Sequence, residues 1–140
     1  MGDDDRFEFA RRFQERVPFI GHLGIVTEAL GEGRAQLRLA LRPELTNSFG
    51  GAHGGVILTL LDVASATATR TLHPRSRGVI TIDLATSFLD AGKGELVAEA
   101  RVVRDGRSAV FVEAEVRSAE GALVARAMAT CRAIEPEGGA

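Results

Sequence analysis

From Ala35 to Arg42 the chain alternates: Ala35, Leu37, Leu39 and Leu41 on one side, Gln36, Arg38, Ala40 and Arg42 on the other. A period of two marks a strand with one buried face. With residues 23–30 it predicts a hairpin around Gly31-Glu32-Gly33. The same period returns over 108–118, where Val110, Val112, Ala114 and Val116 alternate with Phe111, Glu113, Glu115 and Arg117. Strands are predicted near 78–88, 94–104, 108–118 and 122–134, the last three separated by turns at Asp105-Gly106 and Glu120-Gly121.

Helical spacing occurs twice. Phe7, Ala10, Phe13 and Val17 predict a short amphipathic helix over 3–16 that Pro18 ends. Asp3, Asp4 and Asp5 stand where a helix N-terminus favours negative charge. The second stretch runs from about Gly55 to Thr71 and is apolar on nearly every side: Val56, Ile57, Leu58, Leu60, Leu61, Val63, Ala64, Ala66, Ala68. A helix apolar all round is normally buried. Residues 43–54 between hairpin and helix read as a loop. The order of helix, two strands, long helix and four strands predicts an α+β protein, a mostly antiparallel sheet curved around one central helix.

The 140 residues fit a single domain, 1–140, with 1–18 as its N-terminal helix and 135–140 as a mobile tail. The net charge of −2 gives no steering toward nucleic acid. Cys131 is the only cysteine, so no intrachain disulfide can form; in an apolar strand it reads as core. The acidic start does not resemble a signal peptide, and no apolar run reaches the ~18 residues of a membrane span. A cytoplasmic protein with no membrane association is expected.

Asp62 carries the most information. It is the only formally charged side chain between Glu44 and Arg70, and it falls near the middle of the apolar helix. A buried carboxylate must be paired, hydrogen-bonded or protonated, and such groups cluster at functional sites. A structural role, facing a water-filled groove, is the alternative. The second element is His53-Gly54-Gly55, where loop meets helix. The first N–H groups of a helix lack internal acceptors and sit at the positive end of its dipole, which suits an oxyanion. Gly54 and Asp62 are separated by about two turns, roughly 12 Å. They cannot hold one reacting carbonyl within one chain. If both act on it, two copies must meet, predicting a homodimer with two composite sites. His22, His53 and His73 lack metal-ligand spacing, so no metal site is expected. There is no G-x-S-x-G elbow and no dinucleotide fingerprint.

The stretch Asn47-Ser48-Phe49-Gly50-Gly51-Ala52-His53-Gly54-Gly55, followed by Leu60-Leu61-Asp62-Val63-Ala64, resembles the hotdog-fold thioesterases of the PaaI-like (phenylacetic acid degradation) group, spacing included. Gly78 to Leu84 and Asp105-Gly106-Arg107-Ser108 extend the likeness over most of the chain. The resemblance implies a long helix wrapped by a curved antiparallel sheet, dimers that join their sheets, and pairing of these into a homotetramer. It implies hydrolysis of aryl- or medium-chain acyl-CoA without metal or redox cofactor, coenzyme A being part of the substrate. Asp62 would be nucleophile or general base and Gly54 N–H the oxyanion donor. Asn47 would hold the water or the thioester carbonyl, and His53 would shape the loop. Thr81 would orient the water, or be simply a β-branched strand residue. Gly55 belongs to the substrate-binding loop. Phe49, Leu61, Phe88 and Ile57 are candidates for an apolar pocket, and Arg107, ahead of Arg104, for the CoA phosphates. Two other functions compete: a non-catalytic acyl-CoA binder, and a hotdog dehydratase using a His–acid pair.

Overall fold

The computed structural model describes Glu8, Arg11, Arg12 and residues 14–136. Most of the predicted first helix, and residues 137–140 of the expected tail, lie outside them. The described part of that helix stops at Glu15, before Pro18 as expected, and Pro18 then begins a second helix, α1, Pro18–Leu23. At the first helical position proline lacks only an N–H that would have no acceptor, and its φ is already helical. Gly24, at φ 77°, closes α1 in the left-handed conformation. The first strand therefore starts three residues later than predicted.

β1 (Val26–Gly31) and β2 (Arg34–Ala40) form the predicted hairpin. Glu32 (φ 53°) and Gly33 (φ 78°) both have positive φ, the turn geometry that matches strand twist. A short 3-10 turn, Pro43–Leu45, and a loop lead into α2, Gly54–Leu72. β3 (Gly78–Phe88), β4 (Glu95–Asp105), β5 (Val110–Ser118) and β6 (Leu123–Ile134) follow. The sheet order is β1-β2-β4-β5-β6-β3, and every neighbouring pair is antiparallel. β3 is thus an edge strand.

The inward rows of the sheet, including Leu37, Leu39, Leu96, Val112 and Val116, are fully buried against Leu60, Leu61, Ala64 and Ala68 of α2. Each such large side chain contributes roughly 1.5–3 kcal/mol. Alanines on both surfaces (Ala64 and Ala68; Ala98, Ala114, Ala127 and Ala129) let helix and sheet approach closely. The helix also buries Ser65, Thr67, Thr69 and Thr71, each donating to a carbonyl three or four residues back. Gln14 Nε2 donates to Thr67 Oγ1 at 2.8 Å and its Oε1 accepts from Thr27, pinning the N-terminal segment to α2 and β1.

α2 is not buried on every side: Leu58 is exposed, and Thr59, Asp62, Val63 and Ala66 are half-buried. They form a strip three or four residues apart, which the sheet of a single chain leaves open.

Candidate active site

The loop before α2 is held on both flanks. His53 N–H donates to Leu45 O (2.9 Å), Asn47 N–H to Gly51 O (2.8 Å) and Ala52 N–H to Gly92 O (2.7 Å). A Cβ at Gly51 would lie 3.2 Å from Gly92 O, so glycine there permits the loop to dock on the β3–β4 connection. Asn47 builds the same loop: its Oδ1 accepts from Phe49 N–H (2.9 Å) and Gly51 N–H (3.2 Å), and its Nδ2 donates to Ala52 O (3.3 Å). The amide expected to hold water or the thioester carbonyl is engaged within its own turn.

His53 is the N-cap of α2, and its Nδ1 accepts the Gly55 N–H at 2.9 Å. Accepting at Nδ1 places the proton of the neutral ring on Nε2. Val56 N–H (2.9 Å) and Ile57 N–H (3.3 Å) both go to His53 O. That accounts for the N–H groups of the first turn save one. Gly54 N–H has no acceptor among the described residues. It stands at the positive end of a 19-residue helix. A Cβ at Gly54 would meet the Phe88 ring at 3.6 Å, so this aromatic flanks the vacant donor.

Two turns along, Asp62 lies on the open strip. Thr81 Oγ1 donates to Asp62 Oδ1 at 2.5 Å from β3, leaving Oδ2 without a hydrogen-bond partner among the described residues. A bulge between Thr81 and Asp83 sets which residues of β3 face the helix. The structure therefore brings Thr81 to Asp62, and Phe88 and His53 to Gly54. It does not bring the two groups together: helical rise separates them by ~12 Å.

Other candidates fall elsewhere. Leu61 is completely buried in the core, because positions 57, 60, 61, 64 and 68 form the stripe that packs on the sheet. It does not face the open strip as a pocket residue would. Phe49 is 89% exposed at the loop tip. Arg107 is exposed in the β4–β5 turn, and Asp105, the last residue of β4, bonds His73 at the C-terminal end of α2 (2.6 Å). In one chain Arg107 is thus at the opposite end of the helix from Gly54. A groove of about 520 Å³ lies on the outer face of the sheet among Arg34, Glu99, Arg101, Glu113 and Arg126, away from Asp62. Gly92, whose carbonyl accepts the Ala52 N–H of the loop, carried no signal in the sequence beyond a glycine in a turn.

Among the described residues, no group of three His, Cys, Asp or Glu side chains could hold a metal ion, and no helix is long and apolar enough to cross a membrane.

A family model described as a domain of unknown function, DUF4442, matches residues 6–133. The chain is 33% identical to a presumptive esterase of Halobacterium salinarum over 81% of this chain and 78% of that one. It is 31% identical to the medium/long-chain acyl-CoA thioesterase YigI of Escherichia coli over 84% and 86%. The structure of the E. coli PaaI protein from the phenylacetic acid degradation operon superposes with a TM-score of 0.87 over 96% of each chain, at 21% identity, a likeness of fold. The six-stranded antiparallel sheet around one long helix is the hotdog fold, and the chain belongs to the DUF4442 family within the hotdog-fold thioesterases, which are thioester hydrolases.

Proposed function

We propose that this protein hydrolyses acyl-CoA thioesters at a site shared by two copies, with Asp62 supplied by one subunit and Gly54 N–H by the other. One observation carries the reading: a helix N-terminus keeps a single N–H vacant, and the half-buried carboxylate of the same helix lies two turns away. A two-fold axis that sets two copies of α2 side by side in opposite directions brings the groups together twice. β3 supplies a means of pairing. It is an 11-residue edge strand with Ile80 (51%) and Ile82 (58%) exposed, and a long apolar edge calls for a partner strand. Pairing of dimers into a tetramer accords with the family resemblance.

The chemistry needs few groups. Asp62 takes a proton from water as the water oxygen attacks the thioester carbonyl carbon. The oxygen that becomes negative accepts from Gly54 N–H. Collapse breaks the C–S bond, and the thiolate of coenzyme A receives the proton from Asp62. The products are a carboxylic acid and free coenzyme A. Thiolate is a good leaving group, so carboxylate and oxyanion donor suffice without metal or redox cofactor. In a covalent variant the Asp62 carboxylate attacks first, and water opens the resulting anhydride. Single turnover in ¹⁸O-water separates the routes, because only the anhydride route leaves label in Asp62. His53, committed at Nδ1 to Gly55 N–H, shapes the donor loop, which speaks against a dehydratase His–acid pair. Phe88, beside Gly54, suits an apolar acyl group such as an aryl or medium aliphatic chain.

The test is thiol release from a panel of aryl- and acyl-CoA thioesters. Asp62→Asn abolishes turnover while the protein stays folded and dimeric. Equal mixing with Gly54→Pro subunits restores about a quarter of wild-type activity, because half the dimers then carry one intact site. Retained turnover in Asp62→Asn would overturn the assignment of the carboxylate. No rescue despite proven subunit exchange would overturn the shared site. No hydrolysis across the panel by folded wild type would favour a non-catalytic acyl-CoA binder.

A further inference from the structure

The reaction above leaves one buried reactive group unused. Cys131 is fully buried on β6, and the β3–β6 register sets it opposite Thr81, whose hydroxyl holds Asp62. From α2, Thr69 lies seven residues beyond Asp62, two turns along the same side. The cross-strand pairing sets the Thr81 side chain beside the thiol, and Thr69 neighbours it from the helix.

Counting protons decides how these groups connect. A threonine hydroxyl has one proton to donate. That of Thr81 goes to Asp62 Oδ1, and that of Thr69 goes to Ser65 O at 2.9 Å. Toward the sulfur, both oxygens can only accept. The thiol carries the one proton available between them. Burial pushes the Cys131 thiol up from its ordinary range, and the Asp62 charge adds to this, so the proton stays on sulfur.

We propose that Cys131 is a positioning residue whose S–H donates to Thr81 Oγ1 and so fixes the hydroxyl that orients Asp62. The inference rests on Asp62 being the reacting carboxylate. The sulfur does not touch substrate. It removes the rotational freedom of the Thr81 hydroxyl, leaving Asp62 Oδ1 as the direction for the Thr81 proton. Serine would keep the donor; alanine and valine would remove it.

Cys131 is the only thiol in the chain, so its S–H stretching band in the infrared reports this one bond. In the wild type the band lies below that of a thiol with no acceptor, and it moves in Asp62→Asn. In thioester hydrolysis Cys131→Ala loses about three- to tenfold in kcat with KM little changed, the range expected for one weak donor. Cys131→Ser restores most of the loss. A band at the unbonded position and unmoved by Asp62→Asn overturns the proposal, as does wild-type kcat in folded Cys131→Ala. If the alanine variant does not fold, the infrared measurement on wild type and Asp62→Asn decides alone. Turnover retained in Asp62→Asn overturns the reading of the carboxylate itself; an inactive Asp62→Asn with an unmoved band overturns only the role of Cys131.

Discussion

Gly54→Pro deletes the vacant donor without deleting a bond of the fold. Gly54 is the first residue of α2, the position where proline is most at home in a helix. The missing N–H has no acceptor among the described residues, so no hydrogen bond seen there is lost. Proline also restricts its predecessor to extended backbone, and His53 already has φ −60° and ψ 140°. A Cβ at position 54 meets Phe88 at 3.6 Å, ordinary van der Waals contact. The conformational freedom that proline removes from the unfolded chain adds about 0.4–1 kcal/mol of stability. The fold is therefore kept or slightly strengthened. Loss of one oxyanion donor costs roughly 10²–10³ in kcat, or about 2.7–4 kcal/mol. The assay is steady-state thiol release on the best acyl-CoA of the panel, with thermal unfolding in parallel. Gly54→Ala is the control, since it places the same Cβ against Phe88 and keeps the N–H. Proline alone should lose turnover at unchanged or raised Tm. Turnover within about threefold of wild type in Gly54→Pro, far short of the 10²–10³ expected, would refute the oxyanion assignment.

Three further outcomes are expected. Ile82→Lys, which charges the exposed β3 edge, gives monomers in size-exclusion chromatography and loses turnover with the far-UV spectrum retained. Gly33→Ala places a Cβ 3.3 Å from both Leu72 Cδ1 and Val102 Cβ at φ +78°; it lowers stability by about 1–2 kcal/mol in denaturant unfolding but leaves activity per folded molecule unchanged. Cys131, with its thiol raised by burial, resists alkylation in the native protein at pH values where an ordinary cysteine, near 8.5, is ionised, and reacts fully on unfolding. Mass spectrometry after timed iodoacetamide treatment checks this last point, and rapid native labelling would contradict it.

The strands of β2 and β5 were plain in the sequence because one face of each is buried and the other is charged, which forces a period of two. α2 was plain because Asp62 is isolated in an apolar run. What the sequence withheld depends on packing between distant segments. The pattern of α2 could not show that Leu58, Asp62 and Ala66 form an open strip, because apolar side chains on a face awaiting a partner look like core. That Pro18 starts α1 as well as following the end of a helix was not legible, because proline both ends and starts helices and the packing of the next residues decides. The engagement of Asn47 within its own turn, and the capture of Gly55 N–H by His53, are local geometry that residue identity permits without requiring. The approach of Cys131 to Thr81 depends on a β-bulge, and one residue of slip would turn every side chain beyond it to the other face.

The sheet order also sets a sequence of events during synthesis. β3 leaves the ribosome before β4, β5 and β6, yet its only neighbour within the chain is β6, with Gly78 pairing to Ile134 and Phe88 to Ala125. Until the final strand emerges, β3 has no in-chain strand partner on either edge. Thr81 cannot be fixed beside Asp62 before then, although both residues are among the first two-thirds to be made. Contacts this distant are slow to form and leave strand edges uncovered meanwhile. The reactive centre is therefore completed late, and loss of β6 would disarm a carboxylate some sixty positions upstream while leaving its helix and the β1–β2–β4–β5 ladders able to pair.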